Sequence, residues 1–366
     1  MEFNIHTQVL LAAFGLAVIM GAVANKTNFC TMGAVSDWVN MDDTGRMRAW
    51  LLAMAVALVG VTVLEATKLA TVGTATFPPY RTANFAWLRY VLGGLMFGVG
   101  MTLGSGCGNK TMVRIGGGNI KSMLVLLVAG GCAYGMLWTD MYDTLFGKIV
   151  SATTINLANS GFTTQALGDL LGVGNTITGG VVALLLIAFA FSSKEFRSNG
   201  DNIMAGIVIG LIIVGGWYIT GGEMGVKWKE FAEFADTKPL RVETQSYTFI
   251  SAMGDTARYV MNPKDTSLIN FGIVALAGVI VGSFLWALII RSFRIESFSS
   301  FGDFVNHVFG AVLMGIGGVL SMGCTIGQAI TGVSTLAIGS ILTFLAIVAG
   351  SAATMKYQYW KMMREA

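Results

Sequence analysis

GGLMFGVGMTLGSGCGNK, residues 93–110, and GAVLMGIGGVLSMGCTIG, residues 310–327, align without a gap. Gly93, Gly98, Gly100, Gly106 and Cys107 of the first fall on Gly310, Gly315, Gly317, Gly323 and Cys324 of the second. In both, an apolar run striped with glycine ends at a cysteine, and polar residues follow at once. The run has the character of a membrane helix, whereas the polar residues after it are what such a helix normally excludes. The next long apolar run starts only near residue 120 in one copy and 336 in the other. The piece in between is too short to cross. Short helical pieces at membrane depth persist only where they line a protein-walled cavity, so both copies predict re-entrant half-helices.

A weaker match lies upstream in each half. TNFCTMGAVSDWV, Thr27 to Val39, aligns with TFISAMGDTARYV, Thr248 to Val260. Met32 and Gly33 match Met253 and Gly254, and Cys30 falls on Ser251. Cys30 and Cys107 are 77 residues apart, Ser251 and Cys324 are 73. Glycine-rich membrane helices resemble one another by composition alone. That accounts for the glycines, but not for a cysteine in register with a paired upstream match, so the chain reads as a duplication.

Composition agrees with a membrane protein. Of 366 residues, 54% are hydrophobic and 12% charged, against about 25% charged in a soluble domain. The charges cluster between long apolar runs. Nine such runs are long enough to span the hydrocarbon, near 7–25, 48–67, 86–103, 120–138, 177–193, 202–220, 268–290, 305–320 and 336–354. The fold class is therefore all-α and polytopic. Ala22-Val23-Ala24 resembles a signal-peptidase site, but no Lys or Arg precedes it, so Thr7–Asn25 is expected to stay as a span. The four prolines (Pro78, Pro79, Pro239, Pro263) lie outside the apolar runs, which leaves glycine, 48 residues, as the expected source of helix breaks.

Nine spans put the termini on opposite sides. Alternating the loops gathers Lys194, Arg197, Arg291, Arg294, Lys356, Lys361 and Arg364 on one side, in short segments where the positive-inside rule applies best. That side is expected to be the cytoplasm and the N-terminus to lie outside, with the stretches 139–176 and 221–267. The organisation expected is a first repeat over 1–138, an outer segment and linking span over 139–201, and a second repeat over 202–366. The lone linking span inverts the second repeat against the first, an arrangement recurrent in transporters. The net charge of +3 comes with no basic run suited to nucleic acid.

The cysteines carry the chemistry. All four (Cys30, Cys107, Cys132, Cys324) sit in apolar or glycine-rich sequence, unlike a secreted disulfide framework. With His6 and His307 as the two histidines and no CxxC, neither a metal nor a cofactor is expected. Cys132, in the apolar run 125–137, reads as a small buried hydrophobe. Cys107 and Cys324, flanked by Gly106 and Gly323 and by Asn109, Lys110, Arg114 and Gln328, read as functional, and Cys30 does so less strongly. Half-helix N-termini favour an anion, and Lys110 and Arg114 push the same way, although Lys110 also suits an interfacial residue. A thiol with a reference pKa of about 8.5 stays neutral when buried and can donate to a soft atom such as sulfur. Thiols facing one cavity point to a sulfur-containing anion.

GSGCGNKTMVRIGGGNIKS, MGCTIGQAITG and NFCTMGA together resemble the YeeE/YedE sulfur-transport family, over both halves of the chain. The resemblance implies an inner-membrane protein of bacteria or archaea that takes up thiosulfate. It implies an hourglass-like shape with a thin centre, and three cysteines that pass the anion along by S–H contacts. The matching positions are Cys30, Cys107 and Cys324. It also implies a small cytoplasmic sulfur-carrier protein as a possible partner. The long segments 139–176 and 221–267 depart from that pattern, and some relatives of this kind handle selenium or other sulfur compounds.

Two other classes compete. An intramembrane thiol sulfurtransferase would need a base near a cysteine, and the nearest acid to Cys30, Asp37, is expected at the interface. A protein that only docks a carrier would not need thiols at membrane depth. The expectation is a transporter and not an enzyme, and Glu65, near a span end, is not expected to relay protons.

Nine spans also set a topology test. Reporter fusions should place residue 1 and residue 366 on opposite sides of the membrane, and a result with both on one side would remove the inverted repeat.

Overall fold

The computed structural model describes residues 4–365; Met1 and Ala366, on which the terminus expectation was phrased, lie outside them. The first half runs α1 (Ile5–Lys26), α2 (Thr31–Met41), α3 (Gly45–Ala66), α4 (Trp87–Leu103), α5 (Gly108–Gly116) and α6 (Ile120–Trp138). The connection holds α7 (Lys148–Thr153), α8 (Leu167–Leu171), the apolar α9 (Asn175–Phe191) and α10 (Lys194–Ser198). The second half runs α11 (Gly200–Gly221), α12 (Glu223–Phe234), α13 (Ile250–Met261), α14 (Phe271–Ile289) and α15 (Phe301–Leu320). A wide-turned helical segment, Ile326–Gly332, then leads into α16 (Ile338–Glu365). Eight of the described helices are long and apolar enough to cross a membrane, and α9 is a shorter apolar one. Strands among the described residues are minimal: β1 (Thr76–Phe77), β2 (Asn84–Ala86), β3 (Thr154–Asn156) and β4 (Thr244–Gln245).

Helix packing is symmetric by exchange. α1 packs on α14 as α11 packs on α3, and α4 packs on α16 as α15 packs on α6. The half-helices follow: α13 lies on α6 as α2 lies on α16, and α5 lies on α14 as Ile326–Gly332 lies on α3. α4 and α15 cross at the centre with their backbones almost touching. A Cβ added to Gly100 would stand 2.6 Å from the Gly310 carbonyl oxygen, and one on Gly317 2.7 Å from that of Gly93. The glycine stripes of the repeat thus serve close packing between small residues, as membrane helices require.

The breaks themselves do not come from glycine. Two residues before each of the three cysteines stands a non-glycine residue in the left-handed region: Asn28 (φ 51°), Ser105 (φ 58°) and Met322 (φ 63°). In each case the next N–H bonds back to the carbonyl five residues earlier. Phe29 donates to Ala24 at 3.1 Å, Gly106 to Met101 at 2.9 Å and Gly323 to Gly318 at 2.8 Å. This is the Schellman end, which pairs carbonyls that a stopped helix would leave orphaned in a medium without water. Only Asn28 is a residue type that tolerates the conformation well; Ser105 and Met322 bear strain of the kind found at functional sites.

Two other expectations change. The stretch 221–267 is not an outer loop throughout, because Thr244–Ile250 are buried and α13 packs into the bundle. Asp37 is not interfacial: it is buried and held at both carboxylate oxygens by Arg46. Glu65 is paired with Arg81, which also donates to the Thr335 carbonyl at 2.9 Å.

The two uses of small or strained positions separate by mutation. Gly100→Ala should lower stability by about 1–3 kcal/mol through overpacking. Met322→Gly should raise it by about 1 kcal/mol by relieving the positive φ. Thermal unfolding of the detergent-purified protein, followed by tryptophan fluorescence, checks both, and equal destabilisation would contradict the assignment.

Candidate functional site

Three of the four cysteines meet in the middle of the bundle, each at the start of a half-length helical piece. Cys30 caps α2 with its side chain, Cys107 precedes α5, and Cys324 precedes the Ile326–Gly332 segment. All three are buried. Cys30 Sγ accepts from the Gly33 N–H at 3.4 Å, and the Cys107 and Cys324 sulfurs lie near the N–H groups of Lys110 and Gly327. Cys324 Sγ also accepts from the Phe249 N–H at 3.4 Å, which brings in the start of α13. The Cys30 and Cys107 thiols are direct neighbours, and the Thr325 hydroxyl lies beside Cys107. A Cβ on Gly108 would be 3.8 Å from the Cys324 Cβ. Cys132 stands apart in α6, half-buried, with its Cβ against Gly315.

A sulfur that accepts from a backbone N–H, as those of Cys30 and Cys324 do, keeps its S–H as a donor. The local environment is arranged to receive something. Buried polar side-chain atoms without a partner concentrate here: the Thr31, Thr248 and Thr325 hydroxyls, both amide atoms of Asn109, and Gln328 Oε1. A buried polar group left unpaired costs about 1–3 kcal/mol. Their gathering around the thiols, together with the positive ends of α2, α5 and α13, describes a site complementary to a polar, negatively charged guest.

Gly106 and Gly323 let the next turn fold over the break; a Cβ there would meet Lys110 Cγ at 3.2 Å and Gln328 Cγ at 3.2 Å. Lys110 Nζ reaches Asn28 Oδ1 at 3.0 Å, tying one cysteine break to the other. Arg114 donates to the Ser105 carbonyl at 2.6 Å, and Gln328 Nε2 donates to the Ser321 carbonyl. Ser251 falls elsewhere. It is the second residue of α13, whereas Cys30 precedes its helix, so the residue at the position of Cys30 relative to the helix start is Phe249. Sequence reasoning passed over Thr31, Thr248 and Thr325. Their signal was adjacency, two directly after cysteines and one at the start of the upstream repeat.

A cavity approaches the thiols from each end. One, of about 420 Å³, is lined by Phe77, Arg89, Tyr142, Ser251, Val319 and Met322. Arg89 there donates to the Leu320 carbonyl at 2.8 Å and stacks its guanidinium over Tyr142. The other, of about 760 Å³, is lined by Met32, Ser36, Asn40, Thr102, Lys356 and Met362. The two are related by the same exchange as the helices, since Val319 and Thr102 are equivalent in the repeat. Among the described residues no group of His, Cys, Asp or Glu could hold a metal ion.

A family model described as sulphur transport matches residues 26–353. The chain is similar to the thiosulfate transporter TsuA of Escherichia coli (strain K12), 24% identical over 344 residues that cover 87% of this chain and 86% of that one. It is also similar to the thiosulfate transporter TsuA of Spirochaeta thermophila, 23% identical over 343 residues, covering 91% and 94%.

If Asn109 is unpaired because it awaits a guest, stability and activity should part on substitution. Asn109→Leu should leave the melting temperature unchanged or raised, since no hydrogen bond is lost. Uptake of the transported anion should fall by roughly tenfold, the loss of one good polar contact. A parallel loss of stability would show that the amide is structural.

Proposed function

The chain belongs to the sulphur-transport family, and from that membership we propose that it imports thiosulfate through the three buried thiols. The observation that carries this reading is their meeting at the half-helix starts, between two cavities that approach from opposite ends. Thiosulfate has a soft terminal sulfur and a hard, charged oxygen end. Neutral thiols suit the first by S–H contacts to a polarizable atom. The Asn109 amide and the threonine hydroxyls suit the second.

The path runs from the cavity at Arg89, past Cys324, to the Cys30–Cys107 pair and out to the basic face. The direction follows from the basic loops. Lys194, Arg197, Arg291 and Arg294 lie in short connections, with Lys356, Lys361 and Arg364 at the end of α16, and the positive-inside rule makes that face cytoplasmic. With α9 crossing, the halves are inverted, and the division into repeats over 1–138 and 202–366 is supported by the exchange of helix partners. A small sulfur-carrier protein is the proposed receiver inside.

Transient donation is favoured over covalent transfer because Asp37, the acid nearest Cys30 in sequence, is engaged at both oxygens by Arg46. A base so held is not available to a thiol.

Uptake of labelled thiosulfate by cells or proteoliposomes tests the proposal. Cys107→Ala and Cys324→Ala should each bring uptake to below about a tenth of wild type, the loss of a hydrogen bond to a charged group, with insertion unaffected. Cys132→Ala should stay near wild type. Cys30→Ser should retain more uptake than Cys30→Ala, because a hydroxyl donates but cannot form a persulfide. Serine and alanine variants equally inactive, with a sulfur adduct appearing on a cysteine during turnover, would establish the covalent route instead.

A further inference from the structure

A third cavity, of about 330 Å³, opens beside the cysteine breaks on the basic face. It is separate from the wide cavity at Lys356. Lys110 and Arg114 of α5 line it, with Asn28, Asn119 and, from the connection between α14 and α15, Arg294 and Glu296. Glu296 accepts from Asn119 Nδ2 at 2.6 Å. None of the three cations is in a salt bridge among the described residues. Three cations against one carboxylate leave two uncompensated positive charges, which matches a dianion.

The cavity is connected to the thiols through Lys110. Its N–H lies near Cys107 Sγ, its stem packs on Gly106, and its ammonium bonds Asn28, two residues before Cys30. The other copy of the repeat has no such feature. In the register that sets Cys107 on Cys324, Lys110 falls on Gly327 and Arg114 on Thr331. The space there is filled and neutral: Tyr80 donates to the Gly327 carbonyl at 2.7 Å, Thr248 packs on Gly327, and Thr331 donates to the Tyr247 carbonyl at 2.7 Å. A duplicated scaffold has therefore kept or gained cations on the half-helix after the cysteine in one copy only.

We propose that Lys110, Arg114 and Arg294 form a receiving site for a divalent oxyanion, which takes the substrate from the Cys30–Cys107 pair. The inference rests on the transport reading for its place in the path, and on the cavity alone for its ligand. Thiols hold an anion weakly through a soft atom, and full charges one turn further on draw it off the thin centre. The arginines suit oxygen atoms in a plane, which thiosulfate, sulfate and phosphate all present.

Sulfate is the probe, because thiols gain little from it. Calorimetric titration of the full chain in nanodiscs should show sulfate binding that weakens steeply with added chloride. The exposed Arg294 should be replaceable without loss of folding, and Arg294→Gln should weaken binding several-fold, with Arg294→Lys intermediate. The pair Arg114→Gln with Arg294→Gln should weaken it by roughly tenfold or more, while Cys107→Ala leaves it unchanged. In proteoliposomes, Arg294→Gln should slow thiosulfate entry several-fold without changing half-saturation at the outer face. Luminal sulfate or phosphate that slows entry in wild type but not in the double variant marks a site open to cytosolic oxyanions. That result supports the site. Absence of sulfate binding in wild type, or equal binding in the double variant, overturns it. Failure of wild type to take up thiosulfate while sulfate still binds through the arginines would count against the thiosulfate reading and not against the site.

Discussion

In hydrocarbon a backbone group without a partner costs several kcal/mol, so a chain that stops a helix at membrane depth must close its own carbonyls. Everything at the centre of this molecule follows from how that is done. The same Schellman end is used three times, before Cys30, Cys107 and Cys324. It satisfies the stopped helix and turns the chain sharply enough for a second helical piece to start two residues later. The cysteine is the residue at that start in every case, so helix-end geometry places the sulfur. The backbone closure and the thiol position are a single device, repeated.

Much of this was legible in the sequence, and what was not has a physical cause. The nine apolar runs coincide with α1, α3, α4, α6, α9, α11, α14, α15 and α16 to within a few residues, apart from the end of α16, which runs on to Glu365. Hydropathy sees length and apolarity, and nothing interrupts them. The half-helices were signalled by pieces too short to cross. The break residues were not, because Ser105 and Met322 have no propensity for positive φ and are held there by tertiary structure. Glycine drew attention to the right places for another reason: Gly100 and Gly317 are at helix crossings. Thr31, Thr248 and Thr325 were marked only by adjacency to the motifs, because an unpaired hydroxyl is a property of burial, not of sequence. The offset between Ser251 and Cys30 escaped the alignment because β4 and an extended stretch, not a helix, lead into α13.

Moving a divalent anion through such a centre is an electrostatic problem first. Transfer of an isolated charge into a medium of low dielectric costs tens of kcal/mol. A helix start returns roughly 0.3–1 kcal/mol, up to about 2 when partly buried. Three of them fall far short. The larger saving must come from making the dry stretch short, which is what cavities of about 420 and 760 Å³ on either side of the thiols accomplish. The helix ends, hydroxyls and the Asn109 amide then need only bridge the remainder.

On the proposed reading, that division of labour accounts for a path lined by thiols rather than by charge. A cation at the narrowest point would hold a dianion in a deep well and stop it there, since at low dielectric an ion pair is worth many kcal/mol. On the proposed path, neutral S–H donors at Cys324, Cys107 and Cys30 would make shallow, similar contacts, so that no single step is deep. The full charges stand outside the narrow region, Arg89 towards one face and Lys110 with Arg114 towards the other. Symmetry of the scaffold would make the two directions equivalent. The replacement of Lys110 and Arg114 by Gly327 and Thr331 in the second copy breaks that equivalence, on the proposed path at the point where the anion would leave the thiols. The difference between the two faces is then a matter of side chains laid on a two-fold frame.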